Sequence, residues 1–250
     1  MANNFANDIN SSIGTANSGA TNTFTITNPS NTASSQANEI ITVGGTSAGD
    51  PFTTYTVSGT TNWSQGIDNS VTGDPYVLAA STALGTTNVL SATTAGSISK
   101  PLQPAFLAYL NATATDVTGD GTLYPIVFDT ESFDQQNNFD TTTGTFTAPV
   151  AGRYLFCITI RLQQIASALF NTMNIEFIAG GTSYFFCDQN PGVTHETSTG
   201  NNAVSVSCSI IVNMAASGTA AVNVSVGGST KTIDVVGGIG RTSFSGTLLV

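Results

Sequence analysis

From Tyr154 to Leu162 the chain alternates strictly, with Tyr154, Phe156, Ile158 and Ile160 on one face and Leu155, Cys157, Thr159 and Arg161 on the other. Side chains alternate in this way only along an extended strand, so the run predicts a β-strand whose first face is core. Its second face carries a charge and is expected to be partly wet or in contact with another subunit. From Ala105 onward seven further runs read as strands: AFLAYLNA, TLYPIVFD, NTMNIEFIAG, TSYFFCD, NAVSVSCSIIVNM, AAVNVSVGG and TSFSGTLLV. Joined by Gly, Pro and Asn turns, these eight runs predict a two-sheet sandwich or jelly roll.

The first part, up to about Gly96, is a low-charge series of short β-prone pieces such as TFTITNP, EIITVGG, TTYTVSG and PYVLAAS, none able to bury a large core alone. It contains an internal echo: Gly49-Asp50-Pro51-Phe52 returns as Gly73-Asp74-Pro75-Tyr76, and Gly59-Thr60-Thr61-Asn62 returns as Gly85-Thr86-Thr87-Asn88. Two imperfect copies of a strand-turn unit are implied, each leaving an apolar face open until a neighbouring repeat or another chain covers it. Two prolines and a lysine in SISKPLQP, near Ser97 to Pro104, interrupt the pattern and mark a boundary. The expected organisation is an anchor segment over 1–20, a β-rich repeat-containing stem over 21–100 and a compact head over 101–250.

Composition supports an all-β chain, because charged residues are only 8% while Thr, Ser, Asn and Gly recur throughout. The formal net charge is −10, and the few cations (Lys100, Lys231, Arg153, Arg161, Arg241) are scattered, which disfavours nucleic acid and anionic membrane as partners. The polar stretch Met1 to Gly19 lacks the features of a signal peptide, and no apolar run approaches the roughly 20 residues of a membrane span, so no membrane insertion is expected. Cys157, Cys187 and Cys208 form an odd set without C-x-x-C spacing; each sits in a strand-like run and reads as a buried thiol.

The stretch Phe139-Asp140, then Thr143-Gly144-Thr145-Phe146-Thr147-Ala148-Pro149-Val150-Ala151-Gly152-Arg153-Tyr154-Leu155-Phe156, resembles the signature of the C1q/TNF-like family. Gly144 suits a tight hairpin turn, Phe146 packs inward, Pro149 ends a strand and Gly152 allows the corner before the long core strand. Phe106 in the opening strand, Phe128 within Ile126-Val127-Phe128-Asp129, and Phe244 and Gly246 in the closing strand follow the family order, so the resemblance spans about Pro104 to Val250. One departure is Ser217-Gly218-Thr219 where the family has a Gly-Asp turn. The resemblance implies a jelly-roll head that forms a parallel homotrimer, with loops offered to protein or carbohydrate ligands and, in some members, calcium near the trimer axis. Residues 49 to 90 are similar to stem pieces of phage and virus fibres.

Candidate chemistry is sparse. Gly45-Thr46-Ser47-Ala48-Gly49 has the letters of a nucleophile elbow, but Asp50-Pro51 follows where a helix is needed, and His195 is the sole histidine. Val235 to Gly240 lacks dinucleotide-loop spacing and reads as a loop between the last two strands. Asp116 and Asp120, in a loop with Gly119 and Gly121, could offer oxygen ligands to calcium, although the loop does not fit an EF-hand; they read as a solvated turn, as do Asp129, Glu131, Asp134 and Asp140. Trp63 is expected to pack within the stem. The polar stretch from Asp188 to Asn202, with Asp188, Asn190, His195, Glu196 and Asn201, is the best ligand-facing loop. No catalytic residue and no cofactor is expected, calcium remaining the open alternative.

The resulting expectation is a non-enzymatic homotrimeric fibre or spike on a virion, of phage type. It would attach to other virion proteins through its amino terminus and to a host surface glycan or protein through its head, or cap the fibre. The alternatives are a bacterial surface or secreted adhesive protein with the same head and, third, a glycan-cleaving tail enzyme.

Overall fold

The computed structural model describes residues 25–165, 171–189 and 202–250, and for 188 and 189 the backbone alone. Every regular element among the described residues is a β-strand. The first five, β1 (Phe52–Val57), β2 (Thr61–Ile67), β3 (Tyr76–Ala79), β4 (Asn88–Ala92) and β5 (Ile98–Ser99), form one antiparallel sheet in chain order. The echo in the sequence falls on this sheet. Phe52 and Tyr76 open β1 and β3, and Gly59 and Gly85, both with positive φ, lie in the segments that lead from each into its partner. Both copies are therefore hairpins, and they pair side by side through β2 and β3. The connection after β2 is fastened by Asp68, fully buried, whose carboxylate accepts from the Ser70 amide and hydroxyl and from Asn88 Nδ2.

Beyond Pro104 the chain builds two further sheets. One holds β10 (Phe139–Asp140), β11 (Thr145–Thr147), β16 (Thr219–Gly227), β13 (Thr172–Ala179) and β14 (Thr182–Gln189) in that order, with β8 (Tyr124–Pro125) also paired to β16. The other holds β7 (Ala114–Thr118), β17 (Ile233–Val235), β12 (Gly152–Gln163), β18 (Ser243–Leu248), β6 (Ala105–Tyr109) and β9 (Thr130–Asp134), with β15 (Val204–Met214) paired to β12. Their inner faces close over one core. Its centre is aromatic: Phe106 stacks on Phe139 and Phe146 at 4.8 and 4.9 Å and meets Phe244 edge-on at 5.0 Å, while Phe156 packs on Phe177 at 5.1 Å. Each such ring taken from water contributes about 1.5–3 kcal/mol, with smaller gains from the ring geometry. Tyr154 is buried with them, and its hydroxyl is satisfied by donating to Val150 O at 2.8 Å.

The alternation in β12 is as expected, with Tyr154, Phe156, Ile158, Ile160 and Leu162 all buried. Three sequence expectations need correction. The stretch after Pro104 holds thirteen strands among the described residues where eight runs were expected. The polar β7 and β9 are strands through backbone pairing to β17 and β6, and of TLYPIVFD only Tyr124–Pro125 pairs, Ile126 and Phe128 being buried outside any strand. Of the three thiols only Cys187 is buried. Cys208 is half-buried and Cys157 exposed, because the period of two puts Cys157 on the outward face of β12. Trp63 stands 36% exposed, because it occupies the open face of its sheet.

Candidate functional site

The outward face of the β12 sheet is assembled by register. Leu155 lies opposite Ile211 on β15 and Thr247 on β18; Cys157 lies opposite Ser209 and Ser245; Ser245 faces Leu107, which faces Phe133 on β9. These positions bring apolar side chains from four strands, β15, β12, β6 and β9, onto one surface, with Ser245 and Thr247 of β18 between them. Phe133 and Ile211 remain 49% and 58% exposed. Between them Ala105, Phe133, Leu155, Cys157 and Thr247 line a shallow, mostly apolar hollow of about 200 Å³. On β12 the charged side chains of this parity, Arg153 and Arg161, sit at the two ends of the strand, which leaves the middle uncharged. An apolar centre with charge displaced to its rim is the anatomy of a surface that meets another protein.

The hollow rests on a close approach at its floor. Gly246, between Phe156 and Phe106 in the ladder, has no room for a Cβ, which would stand 2.6 Å from Phe106 Cε1 and 2.7 Å from Phe156 Cδ1. A glycine here lets the two rings fill the core directly beneath the outward face.

Among the described residues each of these two sheets also has a strand paired on one side only, β14 in one and β15 in the other. Their inward residues, Tyr184, Phe186, Val204, Val206 and Ile210, pack on the core yet stay only partly buried, and Phe185 is 61% exposed. Cys208 belongs to this margin. Burial, with the neighbouring Cys157 thiol as a lesser cause, pushes its pKa up to about 11, so it stays protonated at neutral pH.

The carboxyl end closes the sandwich near Pro104. Leu248 N donates to Pro104 O at 3.0 Å, Arg153 N to Val250 O at 2.8 Å, and Leu249 N to Arg153 O at 2.8 Å. Val89, Leu102, Pro104, Pro149, Val150 and Leu249 line a hollow of about 410 Å³ there.

The residues selected from sequence are distributed as follows. Phe106, Phe128, Phe139, Phe146, Tyr154, Phe156 and Phe244 lie together in the buried core; Gly144 turns between β10 and β11 with φ 67°, Pro149 follows β11, Gly152 opens β12 and Gly246 lies within β18. Asp188 belongs to β14, opposite Asn174, and not to a loop, because backbone pairing with β13 continues to Gln189. Asn190, His195, Glu196 and Asn201 lie outside the described residues. Ser47 is in a β-turn closed by Ala48 N donating to Gly45 O.

Most of the acidic side chains fasten their own turns. Asp134 accepts from Phe139 N, whereas Asp129 reaches across to a separate segment and accepts from Asn111 N. Asp140 accepts from Thr142 and Thr143, and Asp120 from Thr122; these bonds, Thr142 and Thr122 foremost, hold both carboxyls below the usual range. The Glu131 carboxyl is raised, chiefly by partial desolvation and then by Asp134. Among the described residues no three His, Cys, Asp or Glu side chains converge as metal ligands.

Sequence reasoning missed Leu107, Phe133 and Ile211, for which parity relative to Phe106 and to the pairing partners of β12 was the available signal. It also missed Asp234, a carboxylate 1% exposed that accepts from Asp116 N, Gln163 Nε2 and Gln164 Nε2 at 2.9, 2.9 and 2.7 Å. Burial works to raise this carboxyl, but the three donors outweigh it and hold it below its ordinary value.

A family profile described as the C1q domain matches residues 105–225. Among solved structures, the globular domain of zebrafish complement 1qA protein is similar at 19% identity over 59% of this chain and 98% of its own, with a TM-score of 0.40. Murine APRIL is similar at 7% identity over 59% and 99%, TM-score 0.41, and Eiger TNF from S. frugiperda at 14% over 59% and 94%, TM-score 0.41. A comparison with curated proteins returns no match. Residues 105–225 of this chain, whose regular elements among the described residues are all β-strands, therefore match the C1q domain profile.

Proposed function

We propose that the chain works as a homotrimeric attachment protein, a virion fibre or spike of phage type, in which residues 101–250 form the head, 21–100 the stem and 1–20 the anchor to other virion proteins. The observation that carries the trimer is the outward face of β12, β18, β6 and β9, uncharged along the middle of β12, where nothing among the described residues covers Leu107, Phe133 and Leu155 enough to bury Phe133. A threefold ring satisfies it. In a closed heterologous assembly the margin of one copy, with Ile210, Ile211 and Phe185, lies on the face of the next, and each copy both gives and receives the same contact. The likeness of residues 49 to 90 to fibre stems supports the virion setting, and the head would then attach to a host surface glycan or protein.

The test is the mass of the full chain in solution at micromolar concentration by light scattering, followed by Leu155→Asp. The expected results are three times the 25.6 kDa chain mass for the natural sequence and a folded monomer for the variant, since a carboxylate in the dry centre of three contacts is strongly disfavoured. A well-folded natural chain that stays monomeric would sink the trimer, and mass spectrometry of purified virions that fails to find the chain would sink the setting.

A further inference from the structure

The five-stranded sheet is built the wrong way round for a surface that only meets water. Its covered face holds Ser64, Val77 and Ala79, all fully buried, with the half-buried Phe52 opposite Gly66 at its edge. Its open face holds three large aromatic side chains: Tyr55, Trp63 and Tyr76 are 56%, 36% and 44% exposed. Register puts them together. Tyr55 on β1 lies opposite Trp63 on β2, Gln65 is two residues along β2 on the same face, and Tyr76 on β3 lies opposite Ile67.

Gln65 joins the two phenols into a ladder across three strands, its Nε2 donating to Tyr55 Oη at 2.9 Å and its Oε1 accepting from Tyr76 Oη at 3.0 Å. Beside the ladder a hollow of about 250 Å³ is lined by Thr53, Gln65, Ile67 and Tyr76, with Glu39 and Ile41 on its wall.

The ladder fixes what remains for a ligand. Tyr55 has used an acceptor site and keeps its O–H to donate, Tyr76 has used its O–H and keeps acceptor sites, and the Gln65 amide retains a second N–H and a second lone pair. Donors and acceptors thus alternate next to exposed ring faces, with little rotamer freedom left to lose on binding. A pyranose ring offers the matching chemistry, a C–H face for an aromatic ring and adjacent hydroxyls that both donate and accept. Charge narrows the class. Among the described residues no Lys or Arg lines the hollow and Glu39 is the one charged group on its wall, and the chain carries −10 overall, so sialylated, uronic or sulfated glycans and nucleic acid are disfavoured. A proline-rich peptide is a poorer match, since its carbonyls only accept and cannot satisfy Glu39. We propose that Tyr55, Trp63, Gln65 and Tyr76 form a binding platform for a neutral hexose-based glycan, separate from the head.

Trp63 is the sole tryptophan, so its emission reports this face alone. The full chain is titrated with neutral gluco-, galacto- and mannooligosaccharides, with polysialic acid, polygalacturonate and a proline-rich peptide as comparisons, and calorimetry follows any response. At least one neutral oligosaccharide is expected to shift Trp63 emission saturably. Tyr55→Phe and Tyr76→Phe, which keep the rings but remove the ladder hydroxyls, should weaken binding about three- to tenfold. Gln65→Ala and Tyr76→Ala should weaken it further while far-ultraviolet circular dichroism stays unchanged. The platform is refuted if no neutral oligosaccharide moves the emission, if only a polyanion or the peptide does, or if binding survives Gln65→Ala and Tyr76→Ala. It is equally refuted if these variants lower the mass of the assembly without glycan binding in the natural chain, which makes the face a contact between copies. A monomeric natural chain that still binds would overturn the trimer and leave the platform standing.

Discussion

Gly246→Ala adds one methyl group at a site with no space for it. The new Cβ would lie 2.6 Å from Phe106 Cε1 and 2.7 and 2.8 Å from Phe156 Cδ1 and Cε1, so reaching an ordinary 3.4 Å requires the rings to withdraw by roughly 0.6–0.8 Å. They have nowhere to go. Phe106 is clamped by Phe139, Phe146 and Phe244 within 5.0 Å, and Phe156 by Phe177 and Phe244 within 5.7 Å. Overpacking of this kind costs about 1–3 kcal/mol, from which the reduced freedom of the unfolded chain returns about 0.4–1 kcal/mol, leaving a net loss of about 1–2 kcal/mol. Urea unfolding of the full chain, followed by far-ultraviolet circular dichroism at fixed protein concentration, measures it; Trp63 emission serves as the readout of the other sheet. The decisive control is Phe156→Leu, which removes ring atoms from the clash. The double variant should be less destabilised than the two single effects together, by about 1 kcal/mol. If Gly246→Ala is as stable as the natural chain, or the two changes simply add, the close approach at this point is not real.

Two further outcomes follow from buried and half-buried groups. Asp234→Asn places an amide N–H₂ against donors from Gln163 or Gln164 and should lose about 1–3 kcal/mol at neutral pH. Because the folded pKa of Asp234 lies below the ordinary 3.8, its stabilisation is full above that value and disappears as pH falls through the folded pKa. Melts at falling pH should therefore show the gap between natural chain and variant narrowing only below about pH 4; a gap that is constant with pH refutes the assignment. In the proposed trimer Cys157 is covered, whereas the Leu155→Asp monomer exposes it, so a thiol reagent at neutral pH should label one site rapidly in the variant alone, with Cys208 slow in both. Rapid single-site labelling of the natural assembly would contradict the covered face.

The sandwich beyond Pro104 was legible where one rule acted on its own. In β12 the alternation of large apolar residues forces the inward parity, and Gly144, Phe146 and Gly152 announce the hairpin and corner around it. Elements fixed by distant partners were hidden. β7 reads as a polar loop because its pairing partner, β17, lies more than a hundred residues downstream, and Thr118 is buried in it by hydrogen bonds to Val226 rather than by any apolarity of its own. Asp234 was invisible for the same reason, since a carboxylate inside a strand makes sense only once Gln163, Gln164 and Asp116 surround it. On the first sheet the echoed Gly-Asp-Pro and Gly-Thr-Thr-Asn phrases revealed both hairpins, yet the meeting of Tyr55, Gln65 and Tyr76 depends on the registers between them, which no local pattern encodes.

The pairing of β6 with β18 determines how any pull entering at Pro104 is carried into the sandwich. Ala105 opposes Thr247, and Pro104 is tied to Leu248, so a tether pulling at Pro104 along β6 stretches the bonds to β18 and β9 side by side rather than peeling them one after another. A shear joint of this kind resists a pull along β6, and removing Leu248 would take away the latch to Pro104 at the point where that pull arrives.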